Sequence, residues 1–540
     1  MIRAYAVSAV REAEAEAMAG CQDGELMARA ATALAAVASE RLGGGHSTKG
    51  HQDHPDPQAT GGLLGKCVVA MVGAGNNGGD ALYAVASLAT AGATAVVLTV
   101  ADSVHEGGLR AARDAGALVL SATDVRADSA AVVSATLREA DLVIDGIVGI
   151  GGRPGLSPQV EGLLREVSDT AYVLAVDLPS GADPAGEVAT QSCVFADETV
   201  TFITAKPVHL LPASEPAVGR LTVVDIGVAI AADPVVERLT RDDASWLWPQ
   251  PGPADDKYSR GVLGIVAGGE NYTGAAVLAV TAAVCSGAGM VRYVGPPTPT
   301  MLVRSQVPEA VVGVGRVQAW LVGPGVDVGD ESEQGRAQRA AAQSAVDSGL
   351  PCVVDAGGLD LIVEPRTTPT LLTPHAGELA AMLSRLEGSG QVRASQVSSS
   401  QVSATQVSTS QVSATVDRAA VVSAPLGHAR RLADLTGCTV LLKGSTTLVA
   451  APSSSGLAVR SQGDAPFWLG TAGSGDVLAG VAGTLLASGL SPLDSGSLAA
   501  LVHGLAGNAS NPGGPVRALD VAKATSGVIA ALMARRHARD

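Results

Sequence analysis

The feature that most restricts how this chain can fold is a repeated alternation. Short apolar runs rich in β-branched residues end in glycine or aspartate and give way to alanine-rich segments of helical length. The clearest case is 66–72, which runs into Gly73-Ala-Gly-Asn-Asn-Gly-Gly-Asp80 and then a helix-like 81–92. Strand-length runs follow at 95–100, 142–145, 172–177, 199–203 and 221–226. Strands that alternate with helices are joined by crossovers, pair in parallel and carry helices on both faces. After a proline-rich stretch at 248–253 the alternation restarts at 262–266 and continues through 320–322, 352–355, 371–373 and 440–442. A chain of 540 residues is several times the usual ~150-residue domain. The two series therefore predict α/β domains over 1–235 and 245–540, with the boundary near 230–250.

Two stretches interrupt the pattern. Residues 43–62 are polar and turn-forming, with His46, His51 and His54 among them, and are expected to be a mobile surface insertion rather than a metal site. Residues 387–416 contain the repeat QVRAS, QVSSS, QVSAT, QVSTS, QVSAT, whose units start at Gln391, Gln396, Gln401, Gln406 and Gln411. Period five matches neither helix nor strand and is too short for a solenoid unit. A disordered, functionally silent loop expansion is expected there.

Composition removes several classes. With 47% apolar and 16% charged residues the chain as a whole is not disordered. Aromatics are only 2%, so the core must be built from Ala, Val and Leu. A net charge of −16 lacks the basic face that nucleic acid or an anionic membrane requires. It leaves a small anionic ligand open, because backbone amides can bind phosphate inside an acidic protein. The six cysteines include no CxxC pair and read as small buried apolar residues. Residues 1–20 lack the apolar segment of a signal peptide, and the apolar run 275–291 is broken by Thr281 and Ser286. A cytoplasmic, homo-oligomeric protein is expected, with no nucleic-acid or membrane partner.

In a parallel sheet, ligands sit outside the carboxyl ends of the strands. Asn76, Asn77, Gly78, Gly79 and Asp80 fall there, as do Asp145, the loop Gly149-Ile150-Gly151-Gly152-Arg153-Pro154-Gly155, and Asp177 in VDLPSG. Glycines let backbone approach a ligand, and a following helix points amides at it, which suits a pyrophosphate. Asn77, Asp145 and Ser180 offer oxygens without a basic group, as a weakly held hard cation would want. Each feature alone reads as a turn or a helix cap; the ordered set is specific. GAGNNGGD at 73–80, DGIVGIGG at 145–152, VDLPSG at 176–181 and Lys206 in TFITAKP together resemble the amino-terminal domain of NAD(P)H-hydrate epimerases, a Rossmann-like βαβ sandwich. The resemblance implies that 76–80, 149–155 and Asp177 contact the hydrated dinucleotide. It also implies that Asn77, Asp145 and Ser180 hold K⁺. Asp177 or Lys206 is the candidate to move the proton. Ala81 stands where the family commonly has Gly, and Ile147-Val148 where it has Leu-Phe; both are expected to alter the pocket's shape.

Further along, Asp476 lies in GTAGSGDVLAG at a predicted helix start. Amides of such a turn can hold a transferring phosphoryl group while the carboxylate takes a hydroxyl proton. An N-capping aspartate after a glycine turn would look the same in isolation. Lys443-Gly444-Ser445-Thr446-Thr447 follows an apolar run and reads as a second phosphate or nucleotide loop. His375 and Glu378 stand three apart in TPHAGE, where the histidine could equally be a satisfied polar residue at a helix start. With KYSRG at 257–261, YTGAAVLA at 272–279 and GPG at 323–325, these segments resemble the ADP-dependent NAD(P)H-hydrate dehydratases of the ribokinase-like superfamily. The resemblance implies that Ala276, Gly325, His375 and Asp476 face the hydrated nicotinamide. By the same token Lys443–Thr447 and Gly475 face the adenine nucleotide, with Mg²⁺ and ADP required. The segment DAGGL departs from the family pattern, with Gly357 in place of an acid, so no Mg²⁺ role is assigned to that position. The expected function is repair of hydrated NADH and NADPH by epimerisation and ADP-dependent dehydration. The rival is a ribokinase-like small-molecule kinase fused to a non-catalytic nucleotide-binding module.

Overall fold

A computed structural model describes residues 1–22, 24–44, 62–122, 127–398 and 416–537. The chain divides into two compact units, one of Arg3–Val236 and one of Glu237–Asp540 with Met1–Ile2. His46, His51 and His54, and the repeat units from Gln401 onward, lie outside the described residues.

The amino-terminal unit is built on β1 (Cys67–Val72), β2 (Thr94–Thr99), β3 (Leu118–Ser121), β4 (Leu142–Gly146), β5 (Tyr172–Val176), β6 (Glu198–Phe202) and β7 (Arg220–Val224). They lie in the order β3-β2-β1-β4-β5-β6-β7, and every neighbouring pair is parallel. Side chains alternate across a strand, so β1 feeds two cores. Val68, Ala70 and Val72 pack with Leu34 of α2 (Glu25–Gly43) and Leu82, Val85 and Leu88 of α3 (Asn76–Thr90). Val69 and Met71 pack with Val96, Leu98 and Leu137 on the other face. The connection leaving β1 runs to one side of the sheet and that leaving β4 to the other. The strand order therefore reverses between them, and a crevice opens at their carboxyl ends. The glycine-rich segment ends β1 there, and Asp145 ends β4.

One local expectation is corrected. The segment Asn76–Asp80 is not a loop before a helix that starts at Ala81; it is the first turn of α3. Gly78 makes this possible, because a Cβ there would sit 2.3 Å from the Gly73 carbonyl oxygen. Ala81 is fully buried, and a Cβ on Gly146 would lie 2.5 Å from its own. The substitution from the family's glycine therefore changes helix–strand packing rather than the crevice.

The larger unit contains β8 (Val262–Val266), β9 (Met290–Val294), β10 (Val311–Val312), β11 (Ala319–Val322), β12 (Cys352–Val354), β13 (Thr370–Leu372), β14 (Thr439–Leu442), β15 (Thr447–Ala450) and β16 (Val459–Gln462). Their order is β16-β15-β14-β13-β12-β11-β8-β9-β10. The pairs from β14 through β13, β12, β11 and β8 to β9 and β10 are parallel, whereas β14–β15 and β15–β16 are antiparallel. Helices α7 (Thr273–Cys285), α11 (Ser474–Ala487), α12 (Pro492–Ser510) and α13 (Ala518–His537) pack one face, with α8 (Glu333–Val346), α9 (Ala376–Ser398) and α10 (Pro425–Thr436) also in this unit. Gly480 lets α11 approach α7: a Cβ on it would meet the Ala279 carbonyl oxygen at 2.4 Å. α9 corrects the expected loop at 387–416, since it continues through the first repeat unit to Ser398. Once Leu379 and Leu383 are buried, each further residue adds one backbone hydrogen bond without a new nucleation cost. Trp248, placed in a linker by the sequence, is instead buried in the core of this unit. Among the described residues no helix is long and apolar enough to cross a membrane.

Glu198 is the clearest buried charge of the amino-terminal sheet. Its side chain is wholly enclosed, and Arg41 of α2 grips it at 2.6 Å and 3.2 Å. Tyr172 and Thr222 donate their hydroxyls to the same carboxylate. Burial pushes its pKa up, but the Arg41 and Thr222 hydrogen bonds win and hold it below the usual carboxylate value. Arg41→Ala would strand this charge, a loss of about 3–5 kcal/mol. Urea unfolding followed in the amino-terminal unit should show that loss, with most of it recovered by adding Glu198→Gln.

Candidate active sites

The crevice of the amino-terminal unit is a cleft of about 1780 Å³ lined by residues 73–77, Asp80, residues 147–152, Gly155 and Asp177, with Arg11 and Glu14 of α1 (Val7–Gly20) on its rim. Gly78 and Gly79 are buried within the first turn of α3, and Asp145, Ser180 and Lys206 lie beneath the lining. Arg153 and Pro154 do not reach it.

Asp177 follows β5 with a backbone φ of 66°, and Ile203 follows β6 at 70°. Among the described residues only Ala356 shares this left-handed conformation without being glycine. Such conformations cost about 1–3 kcal/mol each and persist where the surroundings over-determine them. Here the surroundings are Lys206. Its ammonium is buried and donates to Asp177 Oδ1 at 2.5 Å, Thr201 Oγ1 at 2.8 Å and the Phe202 carbonyl at 3.0 Å. All three of its protons are thus used. Burial alone would raise the Asp177 pKa, but the charge and hydrogen bond of Lys206, with the Thr201 hydroxyl, together overcome it and hold the carboxyl below the usual value. His209 completes the frame. Its Nδ1 accepts the Lys206 amide at 2.9 Å, so Nε2 carries the proton and donates to the Asp177 carbonyl at 2.8 Å. Burial and the nearby Lys206 push its pKa down to about 4, so the ring is neutral.

Asp80 and Glu14 face the same cleft without such a partner. Burial, then the charge of Asp177, pushes Asp80 well above the ordinary aspartate value, and the same two causes raise Glu14. Asp145 is fully buried. It accepts from Ser180 Oγ at 2.6 Å, from the Ser180 amide at 2.8 Å and from the Ile147 amide at 3.3 Å. No basic side chain touches it among the described residues, and burial pushes its pKa up to about 6 despite these hydrogen bonds. Asn77 donates through Nδ2 to the Val176 carbonyl at 2.6 Å, which turns Oδ1 toward Gly149; a Cβ there would sit 2.5 Å away.

In the larger unit the carboxyl ends of β12, β13 and β14 bring a second set together. Lys443 follows β14 and donates to Asp355 Oδ1 at 2.8 Å, with Glu378 Oε2 at 3.7 Å. Thr373 donates to the same Asp355 oxygen at 2.7 Å. Burial would lower the Lys443 pKa, but Asp355 and Glu378 raise it instead. Asp476 lies in the first turn of α11, and a Cβ on neighbouring Gly475 would be 3.5 Å from Lys443 Nζ. Burial, reinforced by Asp355 and opposed by Lys443, pushes the Asp476 pKa up to about 7. Gly444, Ser445 and Thr446 form the turn between β14 and β15, and Thr447 opens β15. Gly325 adopts a φ of 64°, where a Cβ would meet that of Ala275 at 2.7 Å. Ala276 is buried inside α7. His375 caps α9: its Nδ1 accepts from the amides of Gly377 and Glu378 at 3.0 and 3.1 Å, and its own amide donates to the Glu378 carboxylate at 2.7 Å. Its opposite ring edge stays exposed at the strand ends.

Sequence reasoning singled out neither Glu14 and Arg11 nor Thr201, His209, Asp355 and His503. Asp355 was within reach, since it ends an apolar strand just as Asp145 and Asp177 do. His503 of α12 is buried beside the Ser474 backbone and neutral, its pKa pushed down to about 4 by burial. A lone histidine in an apolar helix gives no signal of its own. Among the described residues no three His, Cys, Asp or Glu side chains form a metal cluster.

Residues 263–524 match the family model described as NAD(P)H-hydrate dehydratase, and residues 23–208 match that of the YjeF-related protein N-terminus. The chain is 40% identical over 499 residues to a bifunctional NAD(P)H-hydrate repair enzyme of Mycobacterium tuberculosis, covering 90% of this chain and 89% of that one. It is 38% identical over 525 residues to the corresponding enzyme of Mycobacterium leprae, covering 94% of each. A solved ADP/ATP-dependent NAD(P)H-hydrate dehydratase from Bacillus subtilis aligns with 55% of this chain and 98% of its own at 19% identity and a TM-score of 0.43. With its length covered almost end to end at such identity, the chain belongs to the family of bifunctional NAD(P)H-hydrate repair enzymes.

Proposed function

We propose that this chain repairs hydrated NADH and NADPH in two steps on one polypeptide. Residues 1–235 interconvert the R and S forms, and residues 245–540 use ADP to dehydrate the S form, releasing NAD(P)H, AMP and phosphate. The observation that carries the reading is Asp476, held near neutrality at the start of α11 beside Lys443.

A base there takes the proton of the substrate hydroxyl as that oxygen attacks the β-phosphorus of ADP. The bond to AMP breaks, and the ring now carries phosphate, a far better leaving group than hydroxide. Phosphate departs with the carbon–oxygen pair, and loss of a proton from the adjacent carbon restores the ring double bond. First-turn amides of α11 have no intrahelical acceptor and point at the transferring group. Lys443, Gly444, Ser445, Thr446, Thr447 and Gly475 are assigned to the adenine nucleotide. Ala276, Gly325, His375 and Asp476 are assigned to the hydrated nicotinamide. Asp355 and Glu378 flank the ammonium of Lys443 and Asp476 lies within reach of its charge, an excess of negative charge that suits Mg²⁺ arriving on the phosphates rather than held by the protein alone. Bound there, Mg²⁺ would neutralise phosphate charge.

In the amino-terminal unit Asp177 is assigned the proton movement, because it lines the cleft while every Lys206 proton is already used. Lys206 then keeps Asp177 ionised. Of the segments 76–80 and 149–155, Asn76, Asn77, Asp80, residues 149–152 and Gly155 line the cleft and would hold the dinucleotide. Asp145, Ser180 Oγ and Asn77 Oδ1 are oxygen donors, and a buried carboxylate without a basic partner fits K⁺. Bound there, K⁺ would hold the strand ends together. A cytoplasmic, homo-oligomeric protein belongs to the same reading; the exposed Phe467 and Trp468 are surfaces that assembly would cover.

Restoration of absorbance at 340 nm from S-form hydrated NADH, with ADP, ATP or neither, tests the dehydratase half against the kinase rival. Asp476→Asn should lower kcat of dehydration by about 10²–10⁴-fold and leave epimerisation within twofold. The wild-type dehydration rate should rise with pH to a plateau above about 7, because the base must be ionised. Replacing K⁺ by tetramethylammonium should slow epimerisation in the wild type and have no effect in Asp145→Asn.

A further inference from the structure

Helix α1 precedes the segment that the amino-terminal family model matches, which begins at residue 23. The structure nevertheless places it on the cleft. Arg11 and Glu14 are three residues apart, so they share one helix face, and both line the cavity. Arg11 Nη2 donates to the Ile150 carbonyl at 2.9 Å, across 139 residues of chain. The same nitrogen lies where a Cβ on Gly151 would be 3.3 Å away, so the guanidinium rests directly on the glycine loop. Glu14, Asp80 and Asp177 line the same cleft, close enough for their charges to act on one another, with Lys206 and Arg11 the groups of opposite sign acting on Glu14.

We propose that α1 is part of the epimerisation site: Arg11 clamps the loop 149–152 over the dinucleotide, and Glu14 is the acid partner of Asp177. This rests on the epimerase reading above. Hydration of the enamine double bond of a reduced nicotinamide places the hydroxyl on the carbon next to the ring nitrogen. In the step assigned to it, Glu14 as a carboxylic acid gives its proton to that hydroxyl oxygen. The carbon–oxygen pair leaves with water, and the ring nitrogen's lone pair fills the vacancy at carbon. Water returning to the opposite face forms the new bond and gives one proton to Asp177. The set of Glu14, Asp80 and Asp177 carries the same number of protons before and after. Both carboxyls line the one cleft, and their pKa values are displaced in opposite directions, Asp177 downward beside a lysine and Glu14 upward by burial, as such a pair requires. Lys206 cannot take the acid role, because its three protons are committed.

The experiment measures R-to-S conversion by the full-length protein from pH 5 to 9 for wild type, Glu14→Gln, Glu14→Asp, Arg11→Ala and Glu12→Gln. Dehydration of pure S form, run in parallel, reports on the other site. Glu14→Gln should lose about 10²–10⁴ in kcat with KM within threefold, and Glu14→Asp should regain part of the loss. The limb of the wild-type pH profile that falls toward high pH should vanish in Glu14→Gln. Arg11→Ala should instead raise KM about tenfold with little change in kcat, and Glu12→Gln, an exposed neighbour on the same helix, should behave as wild type. A Glu14→Gln protein whose kcat and pH profile match wild type would overturn this inference alone. A wild type that dehydrates the S form yet never converts R would overturn the epimerase reading and the role of Glu14 with it.

Discussion

A carboxylate buried at the end of a parallel strand must be neutralised, and the ways this chain does so organise both halves. At β5 the answer is Lys206, whose ammonium reaches Asp177, Thr201 and the Phe202 carbonyl at once. At β12 it is Lys443, which bridges Asp355 and Glu378. At β4 no basic side chain among the described residues does this, and hydroxyl and amide donors surround Asp145 instead. Within each sheet, parallel strands gather their carboxyl ends on one edge, so the charges placed there act on neighbouring titratable groups of the same unit.

Those fields divide the carboxyls of the amino-terminal cleft into two populations. Asp177, next to an ammonium, stays charged; Asp80 and Glu14, next to Asp177 and shielded from water, hold their protons more tightly. In the other unit Asp476 is raised by burial and by Asp355, yet tempered by Lys443, and so titrates where a base operates at neutral pH. Neutral, buried His209 and His503 add hydrogen-bonding frames without adding charge. Backbone strain is placed to match: among the described residues, the three non-glycine positions with left-handed φ follow β5, β6 and β12, at strand ends.

Much of this was legible in the chain. Apolar strand runs with helical segments between them point to parallel pairing, because a parallel pair needs a crossover of that length and a helix supplies it. Glycine clusters at the ends of 66–72 and before Asp476 marked both sites, since only glycine admits such close backbone approach; the 2.3 Å gap between a Gly78 Cβ and the Gly73 oxygen is the direct expression of that rule. The helical start at Asn76 was not legible. Asn and Gly are weak helix formers, and the turn exists because α3 is held by its buried leucines and by β1 beneath it. Repeat residues up to Ser398 carry no helical period of their own for a related reason, as they extend a helix whose stability comes from earlier residues.

Local pattern therefore determined the fold class, the two glycine-rich sites and the identity of Asp145, Asp177, Lys206 and Asp476 as candidates. Each of those signals lies within a few consecutive residues, where spacing and side-chain chemistry are fixed by covalent connectivity. Tertiary structure alone decided the protonation states and the partners: that Lys206 turns inward to Asp177, that Lys443 meets Asp355 across 88 residues, and that Arg11 and Glu14 reach a cleft built from segments far along the chain. Burial and electrostatic coupling depend on distances through space, and no periodicity in the sequence records them.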